Sequence, residues 1–215
     1  MPTLLPLDTD KLNNGPCSWD LPFDLFGDWF KAAQEHESED PNAMTLATAS
    51  KEAFPSARIV LLKDFDPQGF VFYTNKQSRK GNELSENPKA SLLFYWKSLG
   101  RQVRIEGHIS HIDPQQATAY YHSRPRLSQI GAWASQQSQP LENRETLIAR
   151  VKALEEQYKD QTITRPEHWG GYLLSPIAME FWQAGDARLH DRWRFTLVPN
   201  KANQPASWMR QRLNP

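Results

Sequence analysis

Residues 89–112 read Lys-Ala-Ser-Leu-Leu-Phe-Tyr-Trp-Lys-Ser-Leu-Gly-Arg-Gln-Val-Arg-Ile-Glu-Gly-His-Ile-Ser-His-Ile. Two strand-like runs, Lys89–Trp96 and Gln102–Ile112, flank the polar break Lys97-Ser98-Leu99-Gly100, which predicts an antiparallel strand pair. In the second run Val103, Ile105, Gly107 and Ile109 share one face. Gln102, Arg104, Glu106 and His108 share the other, the period-two alternation of a strand.

Outward from this pair the same short runs recur. Ala43–Ala49 is apolar, and Ser56–Lys63 is apolar and β-branched. Asp66-Pro67-Gln68-Gly69 has the residues of a type I turn. With Phe70–Asn75 behind it, 56–75 reads as a hairpin. Gly171–Leu174, Ala178–Gln183 and Trp193–Val198 read as closing strands. Helices fall between: Leu21–Gln34, with Phe23, Phe26, Phe30 and Ala33 at helical spacing, and Arg144–Tyr158, with Leu147, Val151, Leu154 and Tyr158 as its stripe. Ser78 and Asp113-Pro114 stand where helix caps stand. Residues 1–20, rich in Pro, Asp and Asn, read as an arm or disordered lead ahead of a single domain over 21–215. The class is α+β, mainly β: an antiparallel sheet or barrel with flanking helices.

The chain has 215 residues, 25 basic and 25 acidic, for a net charge of zero. Neutrality argues against a general nucleic-acid binder. A single cysteine, Cys17, rules out an internal disulfide and suits a reducing compartment. There is no signal-peptide pattern and no apolar run of membrane-spanning length, so the cytoplasm is expected. No Rossmann fingerprint, Walker loop, HExxH or CxxC is present, and no set at metal-ligand spacing.

Cations gather in particular stretches instead. Residues 120–138 hold Tyr120, Arg124, Arg126, Ser123 and Ser128 but no carboxylate, which suits a bound anion. Arg58 and Lys63 flank one strand; five residues apart, they point to opposite faces unless the strand bends or the site wraps an edge. Tyr73-Thr74-Asn75 feeds Ser78-Arg79-Lys80 at a helix start, where bases oppose the helix dipole and a phosphate would relieve the conflict. Arg188-Leu189-His190-Asp191-Arg192 would put three cations on one strand face, either paired with Asp186 and Asp191 or gathered around a ligand. His190 is also a candidate general base.

Nine pieces in order, from Pro41-Asn42-Ala43-Met44 through Arg58–Lys63, Phe72–Asn75, Ser78–Lys80, Arg101–Val103, Tyr120–Ser138, Glu180–Gln183 and Arg188–Arg192 to Arg212–Pro215, resemble the pyridoxamine 5'-phosphate oxidase (pyridoxine 5'-phosphate oxidase) family. The resemblance implies a split β-barrel homodimer with FMN held between two subunits. It matches Arg58, Lys63, Tyr73, Thr74, Ser78, Arg79, Lys80, Gln102, Gln137, Ser138, Trp182 and Arg192 to flavin contacts. It matches Lys63, Tyr120, Arg124, Ser128, Arg188 and His190 to positions holding a phosphorylated pyridine, with Arg188 and His190 orienting the reacting carbon. It further implies oxidation to pyridoxal 5'-phosphate with dioxygen as acceptor and hydrogen peroxide as product. A non-catalytic split-barrel binder of flavin or pyridoxal phosphate shares the flavin residues, whereas the substrate set favours an enzyme. Two positions depart from the family: residues 1–20 hold no Arg-x-x-Tyr segment, and Ala184 stands where some relatives have glycine.

Overall fold

The structure, a computed structural model, describes residues 13–199 and 207–215. The expectation for the arm falls mostly on residues 1–12, outside the described residues. Gly15–Cys17 (β1) is a short strand rather than loose chain, paired with the last strand Ser207–Leu213 (β10).

The expected pair of strands is present as Lys89–Trp96 (β6) and Arg101–His111 (β7), in continuous antiparallel register. The sheet runs β1, β10, Asp191–Val198 (β9), Trp169–Gln183 (β8), β7, β6, Ala43–Ala49 (β2) and Pro55–Leu61 (β3). The two expected strands Gly171–Leu174 and Ala178–Gln183 are one strand, β8. It continues through Pro176 because the ladder to β7 is interrupted there by a bulge at Glu106/Gly107, the kind of place a strand accepts proline. A side chain at Gly107 would collide with the Ser175 carbonyl, so glycine lets the two strands close up.

β8 also divides the sheet. Its first half pairs with Gly69–Asn75 (β5), while its second half pairs with β9. This branching at a shared strand splits the barrel.

The 56–75 hairpin is corrected. β3 folds back on β2, in register from Ala43↔Leu61 to Ala49↔Pro55. β5 pairs instead with a short strand, Asp64–Asp66 (β4), across the predicted Asp66–Gly69 turn, where the Gln68 N–H donates to Asp66 Oδ1 at 2.7 Å. The change of partner happens at two residues: Leu62 N–H donates to Asn42 O, and Lys63 N–H to Val71 O. Leu62 is buried at that crossing, which fixes it.

Leu21–His36 (α1) forms where the phenylalanine spacing predicts it and lays Phe23, Phe26, Trp29 and Ala33 into the barrel. Phe26 is fully buried and meets Phe65, Phe70 and Phe94 edge-on at 4.8–5.1 Å. Burial of one such ring contributes about 2–3 kcal/mol. Arg79–Glu86 (α2), Pro114–Ser123 (α3), Arg126–Ala134 (α4) and Arg144–Gln157 (α5) lie outside the sheet strands. A second apolar cluster of Tyr121, Ile130, Ile163 and Trp169 ties α3 and α4 to the start of β8, with Val151, Leu154 and Tyr158 packed on it. Among the described residues no helix is long and apolar enough to cross a membrane.

Candidate active site

A cavity of about 780 Å³ opens between the β3 edge, the end of β5, the start of α2 and the turn from α3 to α4. Arg58, Lys63, Tyr73, Thr74, Arg79, Lys80, Tyr120, Arg124, Ser128, Gln137 and Ser138 all line it. Arg58 and Lys63 meet there despite their spacing, because the chain leaves β2 and joins β5 between them. The expected strand bend is thus the strand exchange just described.

Local rules place the α2 side. Ser78 adopts extended backbone, and its hydroxyl accepts from Gly81 N–H at 3.4 Å, capping the helix. That cap buries Ser78 beneath the cavity wall rather than in it, while Arg79 and Lys80 follow in the first turn. The buried Lys80 ammonium donates to Gln137 Oε1 at 2.9 Å, Thr74 Oγ1 at 3.1 Å and Ser78 Oγ at 3.3 Å. Burial first, and the Arg58 charge second, lower its pKa to about 8, with Glu83 opposing them.

Glu83 is the hub of this wall. Its Oε2 accepts from the Ser56 hydroxyl at 2.6 Å, from the Thr48 hydroxyl and from Arg58 at 3.3 Å; its Oε1 accepts from Arg79 Nε at 2.9 Å. The only local signal was the i,i+4 spacing of Arg79 and Glu83. Burial alone would raise its pKa, but these hydrogen bonds and the Arg58 charge hold it down at about 2, against an ordinary 4.5. A carboxylate with a depressed folded pKa stabilises the fold above its unfolded pKa and loses that contribution as pH falls. The contribution is on the order of 3 kcal/mol and drains away between about pH 4.5 and 2. The stability gap between the parent and Glu83→Gln, measured by urea denaturation, is therefore expected to shrink from pH 6 to pH 3. A gap that stays constant would show that Glu83 is not the acid-sensitive group.

Across the cavity, aromatic rings form a wall. Tyr73 stacks on Tyr120 at 4.0 Å and on Trp169 at 5.3 Å. The Arg124 guanidinium lies 4.8 Å over the Trp169 ring and 5.9 Å from Tyr121. Burial lowers its pKa. Its buried Nη1 meets no acceptor among the described residues. A desolvated guanidinium N–H without an acceptor is what an entering phosphate oxygen would satisfy. Trp169 gave no sequence signal, since its partners come from distant segments.

The remaining expected residues lie elsewhere. Tyr95, Gln102, Trp182 and Arg192 stand in one row across β6–β9. Arg58 belongs to a different row, with Leu46, Leu92, Ile105 and Met179, which are fully buried. The two rows are three residues apart along each strand, and rows an odd number of residues out of step point to opposite faces of a sheet. Arg192 therefore presents on the face opposite Arg58. It is held by Glu180 at 2.8 Å and by the Asn214 carbonyl at 3.0 Å. Glu180 also receives Arg104 at 2.7 Å.

The expected strand through 188–192 is corrected. Asp186–Arg188 is a tight 3-10 turn, with Ala187 and Arg188 at φ of 51° and 65°. Two successive non-glycine residues in the left-handed region are strained. So Arg188, His190 and Arg192 do not share a strand face. Among the described residues Asp186 and Asp191 do not neutralise the cluster: Asp191 pairs with Arg212, and Arg192 with Glu180. Gly185 N–H donates to His190 Nδ1 at 3.1 Å. The neutral ring then carries its proton on Nε2. Trp182 packs on the same ring at 4.6 Å.

A branched antiparallel barrel with a cationic, aromatic-walled cavity at its edge defines the split β-barrel class. Residues 30–158 match the family model described as pyridoxamine 5'-phosphate oxidase. Residues 169–215 match the pyridoxine 5'-phosphate oxidase C-terminal dimerisation region. The chain is 50% identical over 196 residues to a pyridoxine/pyridoxamine 5'-phosphate oxidase of Azorhizobium caulinodans, covering 91% of each. It is 55% identical over 174 residues to that of Novosphingobium aromaticivorans, covering 81% of this chain and 86% of the other. Among solved structures, PhzG of Burkholderia lata, in complex with tetrahydrophenazine-1-carboxylic acid, superposes with a TM-score of 0.86 at 30% identity, covering 99% and 98%. An FMN-binding protein of Nostoc punctiforme shares the fold at a TM-score of 0.68 and 16% identity, covering 89% and 96%. The chain belongs to the pyridoxine/pyridoxamine 5'-phosphate oxidase family.

Proposed function

We propose that the protein is an FMN-dependent oxidase that converts pyridoxine or pyridoxamine 5'-phosphate to pyridoxal 5'-phosphate, working as a homodimer with flavin between subunits. The observation that carries this reading is the division of the family's site residues between two faces of one sheet. The cavity holds one set; Gln102, Trp182 and Arg192 stand on the other face. A second copy of the chain would bring the outer-face set of one protomer to the cavity of the other. The face carrying Gln102 and Trp182 also carries exposed apolar side chains toward β3, Ile59 at 64% and Tyr95 at 59% exposure, the kind of surface a partner covers.

The cavity residues fit two phosphate groups. Arg58, Arg79 and Lys80 form one cationic wall, and Arg124 with Ser128 the other. Arg58, Arg79, Lys80 and Thr74 would hold the flavin phosphate, with Lys63, Gln137 and Ser138 beside it and the buried Ser78 hydroxyl behind, supporting Lys80. When bound, FMN supplies the two-electron acceptor that takes a hydride and hands the electrons to dioxygen, releasing hydrogen peroxide. The chain itself binds, orients and excludes water. Arg124, Ser128 and Tyr120 would grip the substrate phosphate. Arg188 and the His190 Nε2–H of the partner copy would set the reacting carbon. No nucleophile is required, in keeping with a site built of cations, hydroxyls and rings.

Purified protein is expected to be yellow and to release peroxide when given pyridoxine 5'-phosphate or pyridoxamine 5'-phosphate in air. A folded, flavin-loaded sample that turns over neither compound would remove the oxidase and leave a non-catalytic carrier.

A further inference from the structure

Lys80 depends on a carboxylate it does not touch. Its three hydrogen-bond partners, Thr74, Ser78 and Gln137, are neutral oxygens. Among the described residues it makes no direct ion pair. The charged groups facing it are Arg58 from β3 and Arg79 and Glu83 from its own helix, with Lys63, Arg124 and Tyr73 further around the same cavity. Only Glu83 is negative. It has no exposure to spare: Thr48, Ser56, Arg58 and Arg79 occupy both its oxygens.

The wall thus holds three cations against one carboxylate. The surplus of two positive charges matches a phosphate monoester, which carries about two negative charges at neutral pH. Removing Glu83 would leave three mutually repelling cations in a partly desolvated wall. Of these only the lysine can shed its proton, since guanidinium does not.

We propose that Glu83 is a positioning residue that holds Arg58 and Arg79 in place and keeps Lys80 charged, thereby setting the upper pH limit at which the cavity grips a phosphate monoester. This rests on the reading of the cavity as the flavin phosphate site. Glu83 is buried and outside the cavity lining, so it would touch neither a bound cofactor nor the reacting atoms. Its effect passes through Lys80, whose pKa near 8 already lies close to working pH because of burial and Arg58.

The test compares FMN with riboflavin, which lacks the phosphate, by fluorescence titration of the ligand-free dimer from pH 6 to pH 9.5. In the parent protein the FMN dissociation constant, divided by that of riboflavin, is expected to follow only the phosphate's own second ionisation near pH 6 and then to stay level to about pH 7.5. It then rises about tenfold per unit as Lys80 loses its proton. In Glu83→Gln the rise begins about one unit lower. Glu83→Asp, which keeps the charge, moves it back toward the parent value. A second readout needs no ligand: NMR titration of protein labelled at the lysine ε-carbons, with Lys80→Gln assigning the resonance. The Lys80 signal is expected to titrate about one unit lower in Glu83→Gln than in the parent. An unmoved Lys80 titration, or equal shifts in the Gln and Asp variants, would overturn the proposal. A parent protein that binds no FMN would instead overturn the functional reading, while the lysine titration still decides the role of Glu83.

Discussion

Replacing Arg124 with alanine is expected to lower kcat/KM for the phosphorylated pyridine by about two to three orders of magnitude, roughly 3–4 kcal/mol, with flavin content unchanged. The size follows from the state of the side chain before any ligand arrives. Its guanidinium is stacked on Trp169, its charge is partly desolvated, and its Nη1 has no acceptor among the described residues. The fold has therefore already met the cost of taking the cation out of water, so a phosphate entering there gains more than it would from a surface arginine. Arg124→Lys is expected to recover little, because an ammonium neither stacks on the indole nor offers the paired donors of the planar fork. Steady-state rates on both phosphorylated substrates, together with the flavin absorbance of each variant, check the point. Loss of flavin alongside activity would assign Arg124 to the cofactor, and an unchanged kcat/KM would remove it from the site.

Gly81→Ala is expected to destabilise the protein by about 3 kcal/mol and to weaken FMN binding at least a hundredfold. Helix propensity alone points the other way, since alanine in a helix is favoured over glycine by about 1 kcal/mol. What decides is the neighbour. A β-carbon at position 81 would overlap the carbonyl oxygen, carbonyl carbon and α-carbon of Lys76, all backbone. That loop cannot retreat. Lys76 N–H is bound to His168 O at 2.6 Å, and Ser78 N–H to Asn75 O at 3.2 Å. Helix α2 has to move outward, carrying Arg79, Lys80 and Glu83 away from Arg58. A urea midpoint that rises in the alanine variant, or FMN affinity within a few-fold of the parent, would contradict this account of the contact.

Elements set by local rules were readable from the sequence. The phenylalanine spacing of α1, the alternation of β7, and the Ser78 and Asp113 caps all depend on residues close together in the chain, and all are present. The cationic cavity was also legible, because bases at the start of a helix and a stretch without acids are local anomalies. The partner of β3 was not. Both β2 and β5 are suitable strands, and the choice is made by Leu62 and Asn42, whose bond joins residues twenty positions apart. Glu83 escaped for a similar reason: Thr48, Ser56 and Arg58 reach it from two strands, and only Arg79 is near in sequence. The shared face considered for Arg188, His190 and Arg192 holds only on a strand, and no local signal shows that Gly185, pressed against the Leu189 carbonyl, closes the chain on itself there.

The pairing of Gly15–Cys17 with Trp208–Arg210 bears on how the protein is made. A chain emerging from the ribosome can form α1 and the β6–β7 hairpin early, but its first described strand has no partner until almost everything else has been synthesised. The same late segment brings the Asn214 carbonyl to Arg192. The row of Gln102, Trp182 and Arg192 on the outer face therefore gains this support only after the cationic cavity has its parts, so a nascent chain presents the cavity before it presents that row in its finished form.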